Sequence, residues 1–128
     1  MRKDCTTLRV LIVDDEPLIL WGLSRFLENR AVVKTVATAE EAFDEIGEQH
    51  YDLCFLDVIL PGMTGLEAMK IINERSPHTK VAIMSGSSLD EAIKGQIEEL
   101  AFAFIEKPFG LSHIREVAER AAAALIVQ

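Results

Sequence analysis

Cysteine and long apolar runs are both scarce in this chain. The two cysteines, Cys5 and Cys54, lack the spacing of a metal site, and Cys54 lies in a strand-like run where a buried, reduced thiol is the usual state. No uncharged stretch exceeds nine residues, far below the roughly 20 that cross a bilayer. The start, Met-Arg-Lys-Asp-Cys-Thr-Thr, has no apolar signal core. We therefore expect a cytoplasmic protein without disulfides.

Basic residues are also in deficit. The chain has 13 Lys and Arg residues against 21 Asp and Glu residues, which gives a formal net charge of -8. This balance disfavours nonspecific binding to nucleic acid or to an anionic membrane and favours a basic partner surface. The 128 residues suffice for one hydrophobic core and contain no repeat, linker or low-complexity tract. A single domain over residues 1–128 is the expectation.

Short β-branched runs alternate with segments of helical period along the whole chain. The predicted strands are Leu8–Val13, Ala31–Val36, Asp52–Leu56, Lys80–Met84 and Phe102–Ile105, and the predicted helices are 16–29, 39–49, 65–75, 89–100 and 111–126. Apolar stripes would cover the sheet at Ile19/Leu23/Phe26/Leu27 and at Leu89/Ile93/Ile97/Leu100. Strict alternation with wholly apolar strands predicts an α/β fold, a parallel sheet with helices on both sides.

Residues able to do chemistry stand where these apolar runs end. Asp14 and Asp15 follow the first strand, Asp57 the third, Ser85 the fourth and Lys107 the fifth. Because the carboxyl ends of parallel strands meet at one edge of a sheet, we expect these side chains to share a crevice. Three carboxylates, a hydroxyl and an amine suit a hard divalent cation, an aspartate nucleophile and a phosphoryl group.

Each of these residues also has a plainer interpretation. Asp15, with Pro17 two positions on, could cap the first helix, Ser85 could belong to a turn, and a single Lys107 could be a solvated surface charge. Capping accounts for only one carboxylate. Adjacent acids near Asp57 would raise one another's pKa values unless a cation offset the charge. Mg²⁺ is the natural candidate because it takes oxygen ligands and keeps several waters.

The chain closely resembles the receiver domains of two-component response regulators over nearly its whole length. Any one matching element is weak, but together they stand in family order and near family spacing. They are Val13-Asp14-Asp15-Glu16, Leu56-Asp57, Leu60-Pro61-Gly62-Met63 with Gly65, Met84-Ser85-Gly86 and Lys107-Pro108-Phe109. Where many receivers have a Gly-Ala pair before the fifth strand, this chain has Leu100-Ala101-Phe102-Ala103.

The resemblance implies a doubly wound, flavodoxin-like sheet of order 2-1-3-4-5 and a phosphoacceptor switch. Asp57 would accept a phosphoryl group from a histidine kinase or a histidine phosphotransfer protein. Asp15, Asp57 and the Ile59 carbonyl would bind Mg²⁺, with Asp14 acting through water. Ser85, Phe104 and Lys107 match the family's switch hydroxyl, switch aromatic and phosphate-pairing lysine, and the Lys107–Pro108 peptide bond would be cis.

The resemblance also implies a partner that reads the switch, either a downstream effector or a fused output domain. The readout surface would be the fourth helix, fifth strand and fifth helix. The apolar segment Ala121–Val127 suggests a packed terminal helix, a homodimer contact or a helix leading to another domain. A stand-alone chain and an excised domain both remain open.

Two other classes of protein use a similar fold. A hydrolase of the haloacid-dehalogenase type would need an Asp two positions after its nucleophile, where Ile59 stands. A flavodoxin-like FMN-binding protein would need a phosphate loop rich in Ser, Thr or Gly after the first strand, whereas Asp14-Asp15-Glu16 would repel phosphate in the absence of metal. The resemblance to receiver domains implies no enzymatic activity beyond self-phosphorylation and autodephosphorylation.

Overall fold

The strands and helices of the chain alternate as the sequence predicts. The computed structural model describes residues 7–86 and 89–127. Its strands are β1 (Leu8–Val13), β2 (Ala31–Val36), β3 (Leu53–Asp57), β4 (Ile59–Leu60), β5 (Met63–Thr64), β6 (Lys80–Ser85) and β7 (Ala103–Glu106). Its helices are α1 (Pro17–Leu27), α2 (Ala39–Glu48), α3 (Gly65–Arg75), α4 (Glu91–Leu100) and α5 (Leu111–Val127).

Five of the strands form one parallel sheet of order β2-β1-β3-β6-β7. Numbered within that sheet, the order is 2-1-3-4-5, so the predicted doubly wound α/β fold is confirmed. Apolar side chains cover both sheet faces because the central strands are buried on both. One cluster includes Ala42 of α2, Met69 of α3 and Ile97 of α4, and the other includes Leu23 of α1 and Val117 of α5.

Two helix starts differ from the prediction. The N-cap of α1 is Glu16, so the interpretation of Asp15 as its cap is wrong, and Pro17 occupies the first turn. Proline fits there because its missing N–H would have no partner inside the helix. The α4 helix begins at Glu91 instead of 89, with the Asp90 side chain accepting the Ile93 N–H at 2.8 Å. Because the Asp90 carboxylate caps the helix, α4 starts two residues later than periodicity indicates.

The connection from β3 to α3 contains a short hairpin that the sequence analysis missed. Ile59–Leu60 pairs antiparallel with Met63–Thr64, and Gly62 takes a positive φ of 77° in the turn between them. At the end of the hairpin, Gly65 packs against backbone. A Cβ built there would overlap the Asp57 carbonyl oxygen and lie 2.6 Å from the Val58 Cα. The chain can therefore turn back this closely beside Asp57 only with glycine.

The segment that departs from the usual Gly-Ala pair ends α4 without a left-handed residue. Ala101 is extended, with φ −89° and ψ 148°. Phe102 lies between two cations, 4.6 Å from the Arg120 Cζ and 5.8 Å from the Lys80 Nζ to the ring centre. The aromatic ring thus bridges the start of β6 and α5. Leu100, predicted as part of the buried stripe of α4, is instead 43% exposed, because the helix ends there.

The burial of Cys54 and the length of the helices can also be compared with the sequence analysis. Cys54 is fully buried in β3, as predicted, and burial raises the pKa of its thiol to about 12. None of the described helices is long and apolar enough to cross a membrane.

Candidate functional site

The crevice at the carboxyl edge of the sheet brings the predicted acids together. Asp14 follows β1, and Asp57 is the last residue of β3. Carboxylate oxygens of Asp14, Asp15 and Asp57 lie within 4.8 Å of one another. The open crevice measures about 280 Å³, and its walls are Asp15, Glu16, Asp57, Val58, Ile59, Gly86 and Lys107. Asp14 is completely buried, whereas Asp15 is exposed.

Lys107 brings the positive charge of the crevice. Its Nζ lies 2.8 Å from Asp14 Oδ2, 3.3 Å from Glu16 Oε1 and 3.5 Å from Asp57 Oδ1. The Lys107 N–H donates to the Ser85 carbonyl at 2.7 Å, and the Lys107–Pro108 bond is cis, as predicted. Burial lowers the pKa of Lys107, but the hydrogen bond to Asp14 and the charges of Asp14 and Asp57 outweigh burial and raise it. Lys107 is therefore held as an ammonium.

The surroundings of Asp57 disfavour the charged form of its carboxyl group. Burial raises the pKa of its carboxyl, and the neighbouring Asp14 raises it further. Lys107 and a backbone hydrogen bond from Ile59 act in the opposite direction but do not cancel the increase. The single ammonium thus offsets the burial and the negative charge around Asp57 only in part. A divalent cation would supply the missing charge, and oxygen donors in an open crevice fit Mg²⁺, which binds one or two carboxylates and keeps waters.

Of the remaining predicted residues, Ser85 and Ile59 lie at the carboxyl edge of the sheet and Phe104 lies away from the crevice. Ser85 is the last residue of β6 and is buried, while Ile59 is on the crevice wall with 63% of its surface exposed. Phe104 lies one strand away from the crevice, opposite Ile83 in the register of β6 and β7, and packs half-buried on the α2–α4 side of the sheet. The structure thus brings the acids and Lys107 into contact and leaves Phe104 outside that group.

Glu16 belongs to the site, although the sequence analysis gave it no role. It lies on the crevice wall, and its carboxylate contacts the Lys107 ammonium. The signal was its position directly after Asp14-Asp15, but an exposed Glu before a helix is common and gives no reason to expect a specific partner.

A doubly wound sheet with three acids and a lysine at its carboxyl edge defines a class of phosphoacceptor signalling domain. The family model described as "Response regulator receiver domain" matches residues 10–119, and the chain belongs to this family. Receiver domains are generally signalling domains, not enzymes. The resemblance noted from the sequence is thereby confirmed, and neither the hydrolase nor the flavin-binding alternative is favoured.

Similar proteins agree with this assignment. The nitrogen assimilation regulatory protein NtrX of Azorhizobium caulinodans is 36% identical over 115 residues, covering 88% of this chain and 25% of that protein. The response regulator PilR of Pseudomonas aeruginosa is 35% identical over 111 residues, covering 85% and 25%. A CheY-like receiver domain structure from Methanospirillum hungatei superposes with a TM-score of 0.80 at 28% identity, covering 92% of this chain and 98% of that one. The chain spans about a quarter of the length of the first two relatives.

Proposed function

We propose that Asp57 accepts a phosphoryl group from a histidine of a kinase or phosphotransfer protein, and that this transfer requires Mg²⁺. The observation that carries the proposal is the place of the Asp57 carboxylate. It lies beside the Asp14 and Asp15 carboxylates and 3.5 Å from the Lys107 Nζ, on the wall of an open crevice, with a raised pKa. An aspartate needed only for folding would be stabilised by its neighbours, whereas the charge of this one is offset only in part by Lys107.

The proposed transfer makes one bond and breaks one. A carboxylate oxygen of Asp57 attacks phosphorus, the phosphorus–nitrogen bond to the donor imidazole breaks, and the bonding pair stays on the imidazole nitrogen. Bound at Asp15, Asp57 and the Ile59 carbonyl, Mg²⁺ would neutralise charge on the phosphoryl oxygens. Lys107 would pair with another phosphoryl oxygen. Positioning and charge stabilisation provide most of the catalysis in phosphoryl transfer, so this small set of groups is sufficient.

A labelling experiment tests the acceptor. Incubation with radiolabelled acetyl phosphate or a phosphorylated cognate kinase should label the wild type only with Mg²⁺. Asp57→Asn should abolish labelling, Asp15→Ala should lose it through loss of metal, and Lys107→Ala should weaken the response to phosphorylation. Asp90→Asn is the matched control, because asparagine also caps a helix and Asp90 lies outside the crevice wall. Normal labelling of Asp57→Asn would refute the proposal.

Apolar side chains next to the crevice support a protein as the phosphoryl donor. Leu18 and Trp21 of α1 are 81% and 62% exposed, and α1 begins directly after Glu16 of the crevice wall. Exposed large apolar groups near a reactive side chain suit a docking partner. We propose that replacing Leu18 and Trp21 with alanine slows transfer from the kinase and leaves labelling by acetyl phosphate unchanged. Equal loss with both donors would contradict this role.

We propose that phosphorylation is read out on α4, β7 and α5 by an effector or a fused output domain. Ser85 would move toward the phosphoryl group, and Phe104 would move into the space that becomes available, which links the crevice to that face. Beryllofluoride, a mimic of the phosphoryl group, should change amide chemical shifts mainly in α4, β7 and α5. A uniform response, or one confined to α2 and α3, would contradict this model. Sedimentation with and without the mimic tests a homodimer through α5.

A further inference from the structure

Lys107 has one more anionic partner than its proposed role requires. Besides Asp14 and Asp57, its ammonium contacts the Glu16 carboxylate at 3.3 Å. Among the residues that the structure describes, the oxygens that cluster within 4.8 Å belong to Asp14, Asp15 and Asp57, so Glu16 stands outside that cluster. Its contact is made with the lysine. A side chain that is 63% exposed would otherwise have no reason to reach into the crevice.

Backbone hydrogen bonds of Glu16 fix the position from which its side chain extends. The Glu16 N–H donates to Asp14 Oδ1 at 2.9 Å, and the Glu16 carbonyl accepts the Ile19 and Leu20 N–H groups at 3.1 and 3.2 Å. Glu16 is the N-cap of α1, yet its side chain makes no capping hydrogen bond. Ser, Thr, Asp and Asn are preferred at this position because their short side chains cap. Here the longer side chain extends to Lys107 instead.

The three contacts of Lys107 differ in strength. The Asp14 contact is the shortest and joins a fully buried carboxylate, whereas the Asp57 contact is the longest. A phosphoryl group on Asp57 would offer Lys107 a stronger anion than the carboxylate alone. A closer contact with that anion would draw the ammonium toward Asp57 and away from Asp14 and Glu16. The Glu16 pair is exposed and weak, so it can be lost in that step.

We propose that Glu16 is a positioning residue that holds the Lys107 ammonium on the Asp14 side of the crevice until a phosphoryl group is present on Asp57. This inference rests on the proposed function. Glu16 acts through Lys107, and its charge opposes the movement of the lysine toward the phosphoryl oxygens. The protein therefore binds a phosphoryl group, or a mimic of it, less tightly with Glu16 than without its charge.

The test compares two variants that lose the same charge. Glu16→Gln keeps the length and an acceptor oxygen but removes the charge. Calorimetric titration with beryllofluoride at saturating Mg²⁺ should show affinity raised about two- to fivefold, the range expected for an exposed ion pair. Glu106→Gln removes a charge from an exposed residue adjacent to Lys107 in the chain and should leave the affinity unchanged. An unchanged or weaker affinity of Glu16→Gln, or an equal gain in Glu106→Gln, would overturn the inference.

A double variant separates an effect through Lys107 from direct repulsion of the ligand. In a Lys107→Ala background, Glu16→Gln should no longer change the affinity; a gain of the same size there would show that Glu16 acts on the anion itself. A second readout needs no ligand or metal. Acylation of Lys107 by N-hydroxysuccinimide acetate, followed by mass spectrometry against Lys70 as reference, should be faster in Glu16→Gln than in the wild type and in Glu106→Gln. Equal rates would refute the contact.

These outcomes also separate this inference from the proposed function. If the wild type fails to bind beryllofluoride with Mg²⁺, the proposed function fails, while the acylation rates still decide whether Glu16 holds Lys107. If the wild type binds and the Glu16 variants behave like it, only the role of Glu16 is refuted.

Discussion

The two edges of the sheet bury carboxylates in opposite ways. At the amino edge, Asp52 Oδ2 accepts the Arg9 N–H at 2.9 Å, and Asp52 Oδ1 lies 2.8 Å from His50 Nε2. At the carboxyl edge, burial and then the neighbouring Asp14 carboxylate raise the pKa of Asp57. The Asp52 carboxylate has hydrogen-bonding partners that hold loops together, whereas the Asp57 carboxylate shares a single Lys107 ammonium with a second buried carboxylate, Asp14. Burial alone therefore does not distinguish a structural aspartate from a functional one.

Other polar groups at the amino edge are also matched within the protein. The Ser76 and Thr79 hydroxyls lie 2.7 Å apart, and Thr79 Oγ1 donates to the Tyr51 carbonyl at 2.7 Å. The His50 and His78 rings stack with centroids 4.2 Å apart. These contacts tie the loop before β3 to the loop before β6. These polar groups at the amino edge have hydrogen-bonding partners within the protein. At the carboxyl edge, the negative charge of the carboxylates is balanced only in part.

The largest expected difference between the edges comes from two glycines. Gly65→Ala should destabilise the protein by about 3 kcal/mol because its Cβ would meet the backbone beside Asp57. Gly47 of α2, toward the amino edge, has open space around it. Gly47→Ala should be neutral or stabilise by about 0.5–1 kcal/mol through helix propensity. Urea unfolding measures both, and equal effects would show that the turn beside Asp57 is not tightly packed.

A second comparison replaces one aspartate at each edge of the sheet with alanine. Asp52→Ala should lower the free energy of unfolding by about 2 kcal/mol, because the Arg9 N–H loses a charged acceptor at a buried position. Asp57→Ala in metal-free buffer should not destabilise, because it relieves the repulsion with Asp14. Chemical denaturation in EDTA measures both. A large destabilisation by Asp57→Ala would mean that the carboxyl edge is also satisfied internally.

Mg²⁺ should act on one edge only. At tenfold excess over its dissociation constant, it should stabilise the wild type by about 1.4 kcal/mol through mass action. The same gain is expected in Asp52→Ala and a much smaller one in Asp57→Asn. Melting temperatures with and without Mg²⁺ measure this, with Ca²⁺ as a comparison ion. An equal gain in Asp57→Asn would place the binding site elsewhere.

The smallest expected effect is a pH dependence. Because the pKa of Asp57 is raised above its ordinary 3.8, the folded state binds more protons than the unfolded state in the window above 3.8. The Asp57 contribution to stability is thus present below that window and is lost as the pH rises through the folded pKa. In metal-free buffer, the stability of Asp57→Asn relative to wild type should increase as the pH rises from about 4 through the folded-state pKa of Asp57 and then level off. A constant difference would argue against a raised pKa.

Local sequence features predict most of this fold. Alternating β-branched runs and helical stripes place all the strands of the main sheet and all five helices within two or three residues of their observed bounds. Strand ends are harder to predict, because they depend on contacts with residues that are distant in sequence. Asp52 precedes β3 because its carboxylate binds the Arg9 backbone, and β7 begins one residue late at Ala103, after Phe102 is held between Lys80 and Arg120.

Features that depend on side-chain geometry could not be predicted from the sequence. The acids and Lys107 follow strand ends, so topology alone brings them to one edge. The contact of Glu16 with Lys107 depends on a rotamer and on the backbone bond to Asp14. The His50–His78 stack was missed because two single histidines in separate loops show no pattern.

The distance along the chain between Lys107 and Asp14 has a consequence for folding. Their contact joins residues 93 positions apart, and β7 pairs only with β6 at the sheet margin. Pairings this distant in sequence require large loops to close and form slowly. A nascent or partly folded chain can therefore expose Asp57 before it can bring the lysine to it. If Lys107 pairs with the phosphoryl group as proposed, the transfer would require that the last strand has already docked.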